Sequence, residues 1–314
     1  MNFASSLRAT AFALTFGLGA VSLPASALAC ACGCGVFGVG AGTLTPTGEG
    51  GTAFVEYDFM NQNHNRHGAS SAPGTDNPDK EIKTDFVNFG GQYMFNRSFG
   101  VMVQSAVWNR SFHTLDSNGV TVDRFTHAAL GDTRIQGVYT GFSPDLSSGL
   151  TLGVKLPTGD FSYANFDPDT EIGTGSTDLL LGGYTHGKLT ADNSFSWFAN
   201  AQWQKPVAWR HAYKPGEEVN AGLGAYYAGY DLWGGKAKVS PVLQLIGSWR
   251  ARDGGDMGHP GDSGYERLLL APGVELNTAD WRLYAHVAFP VYQRVNGDQL
   301  TAPVLFKLSL SRNF

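Results

Sequence analysis

Three cysteines fall within five residues, Cys30-Ala31-Cys32-Gly33-Cys34, and the 314-residue chain has no others. Thiolates are soft ligands, so a run at this spacing suits Cu(I) or another soft metal, with a periplasmic metal or thiol partner to exchange with. The spacing matches no zinc ribbon, no Cys-x-x-Cys redox pair and no haem attachment pattern. Thiols in an oxidising compartment usually pair, but neighbours this close make a strained disulfide and leave one thiol over. An intermolecular disulfide, a structural tail or plug, and lipidation of Cys30 are the other readings. Ala27-Leu28-Ala29-Cys30 is a poor lipidation signal, because the leucine belongs one position earlier.

A second set of chemically active residues is spread along the chain. Glu56, Asp58, Asp132, Arg134, Lys155, Asp178, Glu275, Arg282, His286 and Lys307 all fall on the polar phase of stretches that alternate with period two. If those stretches are strands, the ten side chains share one side of a sheet. They then either pair across a polar interior or form a mixed-charge constriction that selects what passes. His64, His67, His113, His211 and His259 lie in or beside longer links near Asp76, Asp253, Asp256 and Asp262. Imidazole and carboxylate together suit a transition metal or calcium, and they equally suit solvated loops. No His-Glu-x-x-His and no phosphate-binding glycine loop before a helix occurs, so no catalytic residue is assigned. Ser117-Asn118 lies in a turn with no His placed beside it on a strand. It is the only hint of a lipid-modifying barrel enzyme.

The elements that must position these residues are strands. Alternating stretches occur at 52–61, 82–95, 99–112, 122–142, 149–156, 173–185, 194–207, 217–232, 237–250, 265–276, 281–295 and 299–314. They predict an antiparallel up-and-down barrel of about 12 strands. The links alternate between short (96–98, 143–148, 187–193, 233–236, 277–280) and longer (62–81, 113–121, 157–172, 208–216, 251–264), which is the pattern of periplasmic turns and outer loops. Only 296–298 is short where a longer link is due.

In the last stretch Val304, Phe306, Leu308 and Leu310 share a greasy face, while Leu305, Lys307, Ser309, Ser311 and Asn313 share the other. Leu150, Leu152 and Val154 are likewise expected to meet lipid, with Lys155 inside. Residues 1–29 read as a cleaved signal peptide, with Arg8 before the apolar run from Ala11 to Leu23 and a small-x-small site before Cys30. Residues 30–51 then form a Cys- and Gly-rich periplasmic segment or plug, and 52–314 the barrel. No later apolar run approaches the roughly 18 residues of a helical span. With 22 Lys+Arg against 27 Asp+Glu there is no basic excess for nucleic acid. The 41 glycines and 20 phenylalanines suit tightly turned strands with aromatic belts.

The ending on Phe314 resembles the last strand of bacterial outer-membrane barrels. That resemblance implies an outer-membrane location and recognition of Phe314 by the barrel-assembly machinery. In mid-chain, Leu130-Gly131-Asp132-Thr133-Arg134, then Gly153-Val154-Lys155-Leu156-Pro157-Thr158-Gly159-Asp160, then Gly173-Thr174-Gly175-Ser176-Thr177-Asp178 follow in order. They resemble the outer-membrane barrel family named for the MetA pathway of phenol degradation. The resemblance implies a channel or transporter for small, aromatic or hydrophobic solutes. It identifies no catalytic residue and does not include the Cys-rich segment. Physically, the same motifs read as folding devices, proline ending a strand and glycine allowing a sharp backbone turn. A pore for small solutes is the expectation, with outer-membrane lipid as its surroundings. A soft-metal protein built on Cys30–Cys34 is the alternative, and the lipid-modifying enzyme a third.

Overall fold

The computed structural model describes residues 34–41, 45–46, 48–116, 118–210 and 212–314. Twelve antiparallel strands, each hydrogen-bonded to its sequence neighbours, close into a barrel. They are β1 (Gly50–Gln62), β2 (Asp79–Met94), β3 (Phe99–Leu115), β4 (Val122–Leu130 and Thr133–Tyr139), β5 (Ser148–Leu156) and β6 (Thr177–Lys188). Then follow β7 (Phe195–Ala208), β8 (Glu218–Tyr227, with Tyr230–Leu232 beyond it), β9 (Ala237–Arg250), β10 (Tyr265–Asn277), β11 (Trp281–Val295) and β12 (Leu305–Asn313). Strand β12 closes the cylinder on β1, pairing Val55 with Leu310 and Asp58 with Lys307. Closure leaves no edge, which lipid demands because nothing there can satisfy a bare backbone group.

The outer surface carries the greasy phase. Leu150, Leu152, Val154, Leu223, Leu243, Phe289 and Leu308 are exposed, and such a continuous apolar face is stable only against lipid. An aromatic girdle rings the end holding the short turns, through ring contacts Tyr93–Phe95, Phe99–Tyr139, Tyr139–Phe142 and Phe195–Tyr227. The links at that end are 95–98, 140–147, 189–194, 233–236 and 278–280, and those at the other are mostly longer. The short-turn end is therefore the periplasmic one, and both barrel termini lie there.

Three sequence expectations change. The last link is not short, because Asp298–Thr301 leaves the barrel and pairs with His64–His67 in a small outer sheet. The one exception to the short–long alternation thereby disappears. The stretch 122–142 is not one continuous strand: β4 breaks at Gly131-Asp132, and only its Thr133–Tyr139 half pairs with β5. Strand β6 begins at Thr177, so Gly173-Thr174-Gly175-Ser176 belongs to the preceding outer loop.

Candidate functional site

The interior is filled from both ends. From the N-terminal side, a short 3-10 turn, Cys34–Gly38, leads a segment to Ala41 that lies inside the barrel. Val36, Phe37, Val39 and Ala41 are buried. Lys307 Nζ donates to the Phe37 carbonyl (2.9 Å), Gly40 and Asn200 exchange a pair of hydrogen bonds (2.8 and 2.9 Å), and the Ala41 amide donates to Gln244 (2.8 Å). Tyr226 and Arg282 both donate to the Ala41 carbonyl. Five backbone groups of the segment are thus met by wall side chains, as buried polar groups require. Of the segment 30–51, expected as a periplasmic segment or plug, residues 34–41 lie inside the barrel. Residues 1–29, Cys30 and Cys32 lie outside the described residues, as do Ser117 and His211, and Cys34 is described only through its backbone. Among the described residues no cluster of three His, Cys, Asp or Glu has the geometry to hold a metal.

From the outer side, the loop 157–176 folds into the mouth. Phe166 and Ile172 pack there with Ile82, Phe112 and Leu300. Arg110, 2 % exposed, donates to Thr170 O and Glu171 O from inside the wall. Next to it His127 Nε2 lies 2.8 Å from Asp160 Oδ2, and the His127 ring stacks on Tyr163 at 4.1 Å. The His127 hydrogen bond holds the Asp160 carboxyl below the ordinary range. Burial pushes the Glu171 carboxyl up to about 7, and Asp160 and Asp167 add to the rise.

The three sequence motifs converge at the root of this loop. Lys155 Nζ lies 2.9 Å from Asp132 and 3.0 Å from Asp178, and donates to Thr174 and Ser176 as well. Thr174 Oγ1 and the Gly159 amide donate to Asp132 (2.6 and 3.1 Å), and Ser176 donates to Asp178 (2.6 Å). Gly159 and Gly173 meet backbone to backbone, where a Cβ on Gly159 would come within 2.7 Å of Gly173 Cα. Residues some forty positions apart form one buried knot, with a single lysine holding two aspartates and their hydroxyl neighbours. The knot ties the loop to the wall at the β4 break.

The remaining inward ionisable residues also find partners. Glu56 accepts from Lys307 (2.7 Å) and Ser309, and Asp58 lies 3.6 Å from Lys307 and accepts from Asn88. Glu275 and Arg282 pair at 2.6 Å. His286 is buried, its Nδ1 2.9 Å from Tyr284 Oη. Arg134 differs, because Gln202 (3.4 Å) and Gln204 (3.1 Å) are its acceptors.

Between these charges an apolar belt crosses the lumen, where the expectation was a polar interior. Met60, Phe86, Ile246, Leu269, Ala271, Ala288 and Leu305 form a buried belt with Val36, Phe37 and Val39, and Trp108 packs against it. Phe37 meets Phe86 at 5.6 Å between ring centroids, and Phe86 meets Trp108 edge-on at 4.8 Å. The signal was present in the strand phase. Met60 shares its phase with Glu56 and Asp58, Phe86 with Asn88, and Trp108 with Arg110.

Beside the ladder are two small cavities, about 100 and 70 Å³. A larger one of about 440 Å³ opens near the periplasmic turns, lined by Tyr184, Trp197, Tyr226 and Arg282 among others.

No protein-family model matches the chain, and no curated protein matches it either. Among solved structures the barrel is similar to the COG4313 outer membrane channel from Pseudomonas putida F1, at 12% identity and a TM-score of 0.62, over 88% of this chain and 98% of that one. It is also similar to the beta domain of the Bordetella autotransporter BrkA, at 12% identity and a TM-score of 0.53, over 85% of this chain and 100% of that one. These likenesses establish the fold, which is that of the bacterial outer-membrane barrels.

Proposed function

We propose that this chain is an outer-membrane channel that passes small aromatic solutes down their gradient, and that residues 34–41 close it at rest. The observation that carries the reading is the ring ladder Phe37–Phe86–Trp108 set in an apolar belt inside the lumen. A passive pore for ions has no use for such a belt, since a hydrated ion would shed water there without a partner. An aromatic solute gains edge or face contacts of about 0.5–1.5 kcal/mol per ring. That is strong enough to favour entering and weak enough to leave. Phe37 occupies the position on Phe86 that such a solute would take.

The motif resemblance to the MetA-pathway family supports the same solute class, and the likeness to an outer membrane channel supports passage as the activity. Phe314 suits a role as assembly signal for the barrel-assembly machinery. Its amide and carbonyl pair with Gly51 (2.9 Å each) at the closing seam, while the residue itself stays exposed.

The test is uptake of benzyl alcohol into proteoliposomes. The chain should speed uptake over empty vesicles, and Phe37→Ala should speed it further; uptake no faster than through lipid alone, for both proteins, overturns the reading.

A second reading is a soft-metal site on Cys30, Cys32 and Cys34, the run that in sequence leads into the docked residues 35–41. Copper stoichiometry of the chain against Cys32→Ser tests it, and absence of bound copper in both removes it.

A further inference from the structure

We infer that Arg134 is an anion subsite, so that the solutes this channel recognises are monocyclic aromatic carboxylates. The inference rests on the channel reading above and names its substrate class. Every other lysine or arginine among the ten inward ionisable residues sits on a carboxylate: Lys155 on Asp132 and Asp178, Lys307 on Glu56 and Asp58, Arg282 on Glu275. Arg134 has no carboxylate within ion-pair distance among the described residues. Its two described bonds go to the side-chain carbonyls of Gln202 and Gln204. A guanidinium has five N–H donors in a planar fork suited to carboxylate, so donors remain for a ligand. Burial does not close the site off either, since Arg134 stays partly exposed to the lumen.

Its surroundings match the other half of such a ligand. The cavities of about 100 and 70 Å³ share Phe37, Gly38, Glu56, Gln104 and Arg134 as lining. The larger of the two adds Phe86 and Trp108. The larger alone falls short of the roughly 150 Å³ in which a benzene ring is known to sit, and the two together exceed it. A ring against Phe86 and Trp108 with its carboxylate on Arg134 uses both features.

Of the acids around it, Asp169 and Glu171 line the larger cavity from the outer loop, and three others are engaged. Glu56 is held by Lys307, Glu218 accepts from Asn220 (2.9 Å) and Tyr265 (3.3 Å), and Asp178 accepts from Gln204 (2.6 Å), the same amide that faces Arg134. Above the guanidinium runs Gly38, where a Cβ would lie 3.6 Å from Arg134 Nη1. The resting segment thus crosses the cation at a position without a side chain, which leaves the fork uncovered.

The probes are benzoate and neutral benzyl alcohol, followed as uptake into proteoliposomes holding the chain. The expected result is a preference for benzoate that falls about tenfold in Arg134→Gln, the order expected for losing one charge-assisted bond, and is partly kept in Arg134→Lys. Gly38→Asp places a carboxylate over the guanidinium from the segment itself and should lower benzoate uptake with Arg134 intact. Heat-modifiable gel mobility confirms that each variant is a folded barrel. A benzoate preference unchanged in Arg134→Gln overturns the anion subsite and leaves the channel reading standing. Uptake of both solutes no faster than into empty vesicles overturns both.

Discussion

Replacing Lys307 by methionine tests how dry the closed lumen is. Lys307 is 1 % exposed and its ammonium reaches Glu56 (2.7 Å), Asp58 (3.6 Å) and the Phe37 carbonyl (2.9 Å). Removing it leaves two buried carboxylates without a counter-charge. One oxygen, Asp58 Oδ1, already has no hydrogen-bond donor. Stranding buried charge in this way costs about 3–5 kcal/mol. In a water-filled lumen the same pair would behave as a solvated one and contribute about 0–1 kcal/mol. The gap between these figures makes the experiment decisive.

Denaturant unfolding of the barrel in lipid vesicles, followed by tryptophan fluorescence and extrapolated linearly, should show Lys307→Met destabilised by about 3–5 kcal/mol. The triple variant Lys307→Met, Glu56→Gln, Asp58→Asn should recover most of the loss, because a buried ion cluster replaced as a whole is close to neutral. A single-variant loss under about 1 kcal/mol would refute the argument. It would mean that water reaches the cluster and that the segment carrying Phe37 does not seal against it.

Glu171 predicts a pH response of the outer loop. Burial raises its carboxyl to about 7, so the docked loop binds a proton the free loop gives up near its ordinary value of about 4.3. Docking is then strongest below about pH 4 and weakens as pH rises toward 7. Conductance in planar bilayers should increase from pH 5 to pH 8, and Glu171→Gln should flatten that rise. Gly173→Ala, which forces a Cβ into the Gly159 backbone, should destabilise the knot by about 1–3 kcal/mol, as overpacking does; a melting profile equal to that of the unaltered chain would contradict the close packing. Arg110→Gln removes the charged donor to Thr170 O and Glu171 O and should raise the frequency of open events in single-channel records.

Period two carried the barrel. One side of each strand must meet lipid and the other the lumen, so the alternation in Leu150–Lys155 or Phe306–Ser311 had no second solution, and link lengths then gave the orientation. The last link misled because Asp298–Thr301 continues to look like strand; it is one, but its partner is His64–His67 in the outer sheet. Local alternation states that a segment is extended and does not state what it pairs with. The break in β4 was hidden for a related reason. Its cause is the knot around Lys155, whose members Asp132, Thr174 and Asp178 meet only after three strands have closed. Each motif was visible alone, but their convergence was not. The candidate site was half visible: Arg134 and Lys307 stood on the inward phase, whereas the tilted ring contact of Phe37 with Phe86 joins a segment before the barrel to its second strand and leaves no periodic trace.

The central claim is that the barrel is a channel closed by its own N-terminal segment. Single-channel recording in planar bilayers, of the chain and of a form lacking residues 34–41, tests it directly. The account predicts rare, brief openings for the chain and a steady open level for the shortened form. Identical traces from the two would contradict it.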